Sequence, residues 1–380
     1  MKKIAWLAIL LLVIGGCSMR ENRVEKVMED GIEVVLNGTE PYNLPDVQSP
    51  VGLEEEWIID LEAEDVSNAG LYQIDTFAVD VGGSVYILNL RPEKDHIFKF
   101  TQDGKFDKSF GMHGQGPGEF GRPNAVTLTP DQELMIVDPD NAKLVYLTRE
   151  GELIREVTLN RNIPFVQPLS DSRFVVFGRM RPDIEKRFVK YPLELCDENI
   201  EPIRMLDEYR MENFRVTRRF RGTQPGFALA VGGSRVFIGN EARDYEIWVY
   251  DGEGTLIKKI RKEHHPLPVT EAIKEKALAR YDDNVKPMVF FPENLPPFRT
   301  MAADGEGTLY VVTFEEGNQP GENRIDVFSP EGAFVGRLSA AVFVSPSTPI
   351  DAVACHGRFY YIRETESGFK QLVAERIITQ

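Results

Sequence analysis

Residues 76–104 read TFAVDVGGSVYILNLRPEKDHIFKFTQDG, and this stretch decides the fold. Two short β-branched and aromatic runs, 76–79 and 85–87, are split by the polar turn VGGS. A third run, 97–100, ends at the turn carrying Gly104. Such runs between Gly, Asp and Asn turns are hairpin signals. The pattern returns at 134–136, 174–176, 236–238, 309–311 and 359–361, each time just after a tight polar turn. The central residues, 86, 135, 175, 237, 310 and 360, are 49, 40, 62, 73 and 50 positions apart. Four-stranded antiparallel units repeating every 40–50 residues or so are the signature of a β-propeller. No interval is short enough for half a blade or long enough for two, so the spacing predicts an all-β, six-bladed β-propeller.

Working outward, the last repeat holds three strands, and residues 56–61 (EWIIDL) fit the fourth-strand pattern. Pairing of 56–61 with about 369–376 would complete that blade, close the ring and remove an open edge. A short helical insertion is predicted near 270–283. Thr270 is a candidate cap there, and Ile273, Ala277, Leu278 and Tyr281 make an apolar stripe.

The first sixteen residues read as an export signal. Lys2 and Lys3 precede an uncharged run of 11, residues 4–14, too short to span a bilayer comfortably. Ile14-Gly15-Gly16-Cys17 then resembles the lipobox of bacterial lipoproteins, which implies acylation of Cys17 after cleavage. Several acyl chains on one residue hold a protein stably at a bilayer. Ser18 in place of Asp implies, by the sorting rule of that family, the outer membrane. The expected organisation is a signal peptide over 1–16, a lipidated tether over 17–54 and a propeller over 55–380. Loss of Lys2 and Lys3 takes the formal charge from −16 to −18, which disfavours nucleic acid as a partner. Beyond Cys17 only Cys196 and Cys355 remain, so no disulfide framework is expected.

A resemblance covers nearly the whole chain. FGMHGQGPGEF (110–120), followed by Pro123-Asn124-Ala125-Val126, looks like the linker and inner strand of NHL-repeat propellers. The lipobox, GIEVVLNGTEPY (31–42) and EEEWIIDL (54–61) resemble the layout of bacterial six-bladed β-propeller lipoproteins. Blades 3 and 4 depart from it, with a degenerate turn at 196–201 and long insertions. The resemblance implies a fold and an envelope location but no activity, because propellers host binding, scaffolding and enzymes alike.

In a four-stranded meander the turns between strands 1–2 and 3–4 share one face, and the 2–3 loops and blade crossovers share the other. The second face holds the excess length, at 111–123, 206–226 and 263–298, and long loops on a rigid ring carry function. It is also rich in arginine. Arg215, Arg218, Arg219 and Arg221 are interleaved with Phe214 and Phe220, and Arg91, Arg179, Arg181 and Arg243 lie in 2–3 loops. Guanidinium forks beside aromatic rings suit carboxylated or sulfated glycans, or peptide carboxylates. The competing reading pairs these arginines with nearby acids such as Asp207, Glu208 and Glu212.

Enzyme chemistry finds little support. Six-bladed lactonases hold a divalent metal with Glu, Asn and Asp, and the corresponding set would be Asn89, Asp138, Asn240 and Glu315, for Ca or Zn. Asn and Asp at strand ends are equally turn formers. His96, His113, His264, His265 and His356 are scattered along the chain, and no Ser–His–Asp or activated Cys arrangement can be argued. Two classes remain. The favoured one is a non-catalytic binding or scaffold module for an envelope glycan, peptide or protein, needing no cofactor. The alternative is a metal-dependent hydrolase or lyase with its site in the central channel.

Overall fold

Six inner strands surround a common axis: Thr76–Val79, Ala125–Leu128, Phe165–Leu169, Phe227–Gly232, Thr300–Ala303 and Ala352–Cys355. From each, an antiparallel meander runs outward, giving six blades in chain order. The computed structural model describes residues 24–380, apart from 46, 91–94, 162, 170–171, 179–185 and 345–350. Cys17, Arg91, Arg179 and Arg181 therefore lie outside the described residues.

The polar turns that mark the repeat share one hydrogen-bonding scheme. Asp80, Asp251 and Asp304 each accept the amides two and four residues on, at 2.8–3.0 Å. The fourth residue is a glycine at positive φ (Gly83, Gly254, Gly307), where a Cβ would be strained. In blade 3 Asp197 makes the same two bonds, but Ile200 holds the fourth position at φ 63°. Its side chain is buried in the core, so packing offsets a backbone conformation that β-branched residues avoid.

Closure follows the sequence expectation. Strands β1 (Glu25–Glu29), β2 (Ile32–Asn37) and β3 (Pro50–Asp60) precede blade 1, and β3 is the outer strand of blade 6. It pairs antiparallel with Lys370–Thr379, with Trp57 opposite Ala374 and Ile59 opposite Leu372. The strand begins six positions before the apolar run that reveals it, because its first half, PVGLEE, is half-exposed and charged.

The segment expected as a tether carries a hairpin built onto the ring. β2 pairs in parallel with the outer strand of blade 4, Leu256–Lys262, and β1 pairs back on β2, so that sheet has six strands. Val34 and Val35 are fully buried. Asn37 fastens the end: its Nδ2 donates to the carbonyls of Arg261 (3.2 Å) and Gly332 (3.1 Å), and its Oδ1 accepts Phe334 N–H at 2.8 Å. One side chain thus ties the hairpin to blades 4 and 5.

Among the described residues three short α-helices lie in the connections: α1 (Glu64–Asn68), α2 (Phe214–Thr217) and α3 (Glu271–Leu278). α3 is the predicted insertion, capped by Thr270 Oγ1 accepting Ile273 N–H at 3.4 Å. Its apolar stripe is only half-buried. The insertion reaches the preceding long loop instead, through a parallel bridge of Val289–Phe290 with Phe220–Arg221 and a Phe220–Tyr281 ring contact at 5.2 Å. The 206–226 loop is shorter than expected, because the outer strand of blade 3 continues to Glu212.

Candidate functional site

The axis of the ring is a channel with a cavity of about 160 Å³. Its walls are the middles of the inner strands, chiefly Ala, Val, Leu and Met, with Thr127 and Gln167 the polar contributors among the lining side chains. Alternation in these strands turns small apolar residues to the axis, because six backbones converge there and leave little room. Such a wall offers no general acid, base or anionic ligand.

The four residues of the metal reading do not converge on that axis as free donors. Asp138 accepts the Gly121 and Arg122 amides (2.8 and 3.0 Å) and Asn141 Nδ2 (2.8 Å), which fixes the turn into blade 2. Asn240 caps a one-turn helix by accepting Ala242 N–H at 3.2 Å. Glu315 is ion-paired with Arg324. Asn89 is buried behind the second strand of blade 1. Among the described residues no cluster of three or more His, Cys, Asp or Glu could hold a metal. The cysteines are poor nucleophiles: burial pushes the thiols of Cys196, at the end of a blade 3 strand, and Cys355 up to about 12.

The arginines separate into two groups. Arg221 makes a two-pronged contact to Glu241, which also accepts the Tyr209 hydroxyl at 2.9 Å. Arg243 donates to Asp207 at 2.7 Å and lies 4.0 Å from the Trp248 ring centre. Glu208 is held by Lys190 and Arg210, and Glu212 by Arg187. Arg221 and Arg243 are thus internally paired, but of the three acids expected as partners only Asp207 takes one of the arginines predicted for the face, while Glu208 and Glu212 are held by Lys190, Arg210 and Arg187. Arg215, Arg218 and Arg219 differ: all three are exposed, and none has an acidic partner within 4 Å among the described residues. Arg218 takes a left-handed conformation, φ 55°, that turns the chain out of α2.

Arg219 leads to a groove that sequence reasoning missed. Its guanidinium lies 4.8 Å from the centre of Phe290, and a depression beside it is lined by Lys274, Val289, Phe291 and Glu293. Arg219, Lys274 (paired with Glu271 at 2.7 Å), the Glu293 carboxylate and two aromatic rings thus share one concave surface on the long-loop face. The signal was the Phe290-Phe291 pair, but its place depends on the bridge to Phe220–Arg221, which no periodicity announces. Arg299 was missed as well. It sits one residue before the inner strand of blade 5 and donates to Asn323 Oδ1 at 2.8 Å. Burial holds its guanidinium below the usual value.

Residues 59–219 match the family described as 6-bladed beta-propeller. No curated protein matches the chain in sequence. Among solved structures, a Bacteroides fragilis protein described as exported superposes with a TM-score of 0.52 at 12% identity, covering 91% of this chain and 99% of its own. A member of the duf4221 family from Bacteroides vulgatus gives 0.46 at 12% identity, covering 95% and 100%. A gluconolactonase from Xanthomonas campestris gives 0.40 at 11% identity, covering 88% and 100%. At these identities the likeness is one of fold.

Proposed function

We propose that this six-bladed β-propeller, a rigid ring with one elaborated face, is a binding module held at the cell envelope. Cys17 carries the lipid that anchors it, in the outer membrane by the sorting rule of lipoproteins. The ligand is an anionic chain with flat apolar faces, a carboxylated or sulfated glycan or a peptide carboxylate, taken up in the groove at Arg219, Lys274, Phe290 and Phe291. One observation carries this reading: in an acidic protein where Arg221 and Arg243 of the same face are ion-paired, Arg219 is exposed with no acidic partner among the described residues and stands over an aromatic groove. Paired donors and rings recognise such ligands by bidentate hydrogen bonding and stacking. A hydrolase or lyase reading through the channel has against it the aliphatic wall and the engaged carboxylates of Asp138 and Glu315.

The test is a panel of carboxylated and sulfated glycans and peptide carboxylates presented to the wild type and to the Arg218→Glu/Arg219→Glu variant. Binding should fall at least about tenfold and lose its salt dependence, with Tm barely moved, since exposed charges contribute little to folding. Arg221→Ala is the contrast. It leaves Glu241 without its guanidinium and should destabilise by about 2–3 kcal/mol. Glycan binding unchanged in the double variant would reject the groove.

A further inference from the structure

The hairpin that ends blade 1 brings together two histidines that lie 17 positions apart. Asp95 pairs with Met112 and Ile97 with Phe110, so His96 and His113 are diagonal neighbours on one side of the sheet. Their ring centres are 6.1 Å apart. His96 is 1% exposed, while His113 faces solvent. The His96 Nδ1–H donates to the Asn89 carbonyl at 2.9 Å, and Phe120 stands edge-on to the ring at 5.9 Å. The opposite nitrogen, Nε2, is buried and has no hydrogen-bond partner among the described residues.

A buried polar atom without a partner costs about 1–3 kcal/mol and calls for an explanation. Here the ring is locked by its other nitrogen in the tautomer that presents a lone pair at Nε2. A backbone carbonyl on the far nitrogen is also the usual support of a metal-binding histidine. Burial holds the His96 pKa below its ordinary value, so the imidazole is neutral, as a ligand must be. We propose that His96 Nε2 and His113 form a two-nitrogen site for a borderline-soft divalent ion, Zn²⁺ or Cu²⁺, at the long-loop side of blade 1. Two imidazoles on one ion, at about 2.0–2.1 Å per nitrogen, hold their ring centres roughly 5–6 Å apart. At 6.1 Å the two rings stand close to that separation, and the exposed His113 is the one able to turn toward the ion. The Asp138 carboxylate adds negative charge nearby but is already engaged with two amides and Asn141. With no third His, Cys, Asp or Glu completing the set among the described residues, water or a bound ligand fills the remaining positions. The site meets solvent on the His113 side only, since His96 is buried.

Calorimetric titration of the full-length protein with Zn²⁺ and with Cu²⁺ near neutral pH, joined to electron paramagnetic resonance of the Cu²⁺ form, tests the site. One ion per chain with two nitrogen ligands is expected. His113→Ala should weaken binding at least about tenfold without changing Tm, because this side chain is exposed. His96→Ala opens a cavity beside Phe120 and can unfold the blade, so His113→Ala decides. His264→Ala/His265→Ala and His356→Ala should bind as wild type does. The proposal is overturned if neither ion binds, if binding survives His113→Ala, or if it is lost in the His264/His265 variant instead.

Discussion

Glu375 stands directly opposite Glu55 across the seam that closes the ring, on neighbouring strands of blade 6. The flanking acids of β3 are neutralised, Glu54 by Arg376 and Glu56 by Arg358, while Glu55 reaches Arg363 at 3.4 Å. Burial, and then the charge of Glu55, push the Glu375 carboxyl up to about 7.

That relationship makes closure pH-dependent. The folded ring holds the Glu375 proton more tightly than the unfolded chain does. The stabilisation from this group is therefore complete below the ordinary glutamate value of 4.5 and disappears as pH rises through about 7. Glu375→Gln should be nearly neutral at pH 4.5 and below and should stabilise at pH 8 by about 1 kcal/mol, a figure reduced for partial solvent screening. Thermal unfolding of both proteins at the two pH values measures it, and an equal effect at both would remove the seam from the explanation.

The same strand is pinned to blade 1. Trp57 Nε1 donates to the Gln102 carbonyl at 2.9 Å, and the indole lies flat on Gly104. A Cβ on Gly104 would come within 2.8 Å of the ring, at a φ of +76°. Gly104→Ala should cost about 2–3 kcal/mol, from strain and displacement of the indole together. Urea unfolding gives the value, and Gly357→Ala, also at positive φ but in open space, isolates the backbone share.

Asn37→Ala should release the N-terminal hairpin. It deletes two donors and one acceptor that join β2 to Arg261, Gly332 and Phe334, leaving buried backbone groups unsatisfied. Stability should fall by about 2–3 kcal/mol. Hydrogen exchange should accelerate over 24–37 before it does in the inner strands. Uniform acceleration would show that the hairpin and the ring open as one unit.

Cys17→Ser tests the anchor independently of the fold. Only the thiol accepts the diacylglyceryl group, so the variant should lose labelled fatty acid and persist as precursor. Label remaining on the serine protein would reject acylation at that residue.

The propeller and its closure were legible because they rest on local rules: a turn scheme with a carboxylate first and a glycine fourth, and strand alternation between turns. Ile200 is where that reading weakened, since an isoleucine in the glycine position erases the signal while the turn itself persists. The parallel docking of β2 was invisible for another reason. Strands far apart in sequence pair through matching buried faces, and VVLN reads alike on any sheet edge. The arginine cluster was legible as a composition. Which members are free could not be read, because Glu241 and Asp207 reach Arg221 and Arg243 only through the ring's curvature.

The hairpin on blade 4 also decides how the molecule bears a pull. Tension applied at the N-terminus meets β1 first, whose pairs run from Glu25–Leu36 at the open end to Glu29–Ile32 at the turn. Loaded from its open end, such a ladder peels one pair at a time, at low force, while the six blades stay intact. Under such a load the β1 ladder should therefore open before the seam between β3 and the final blade is strained.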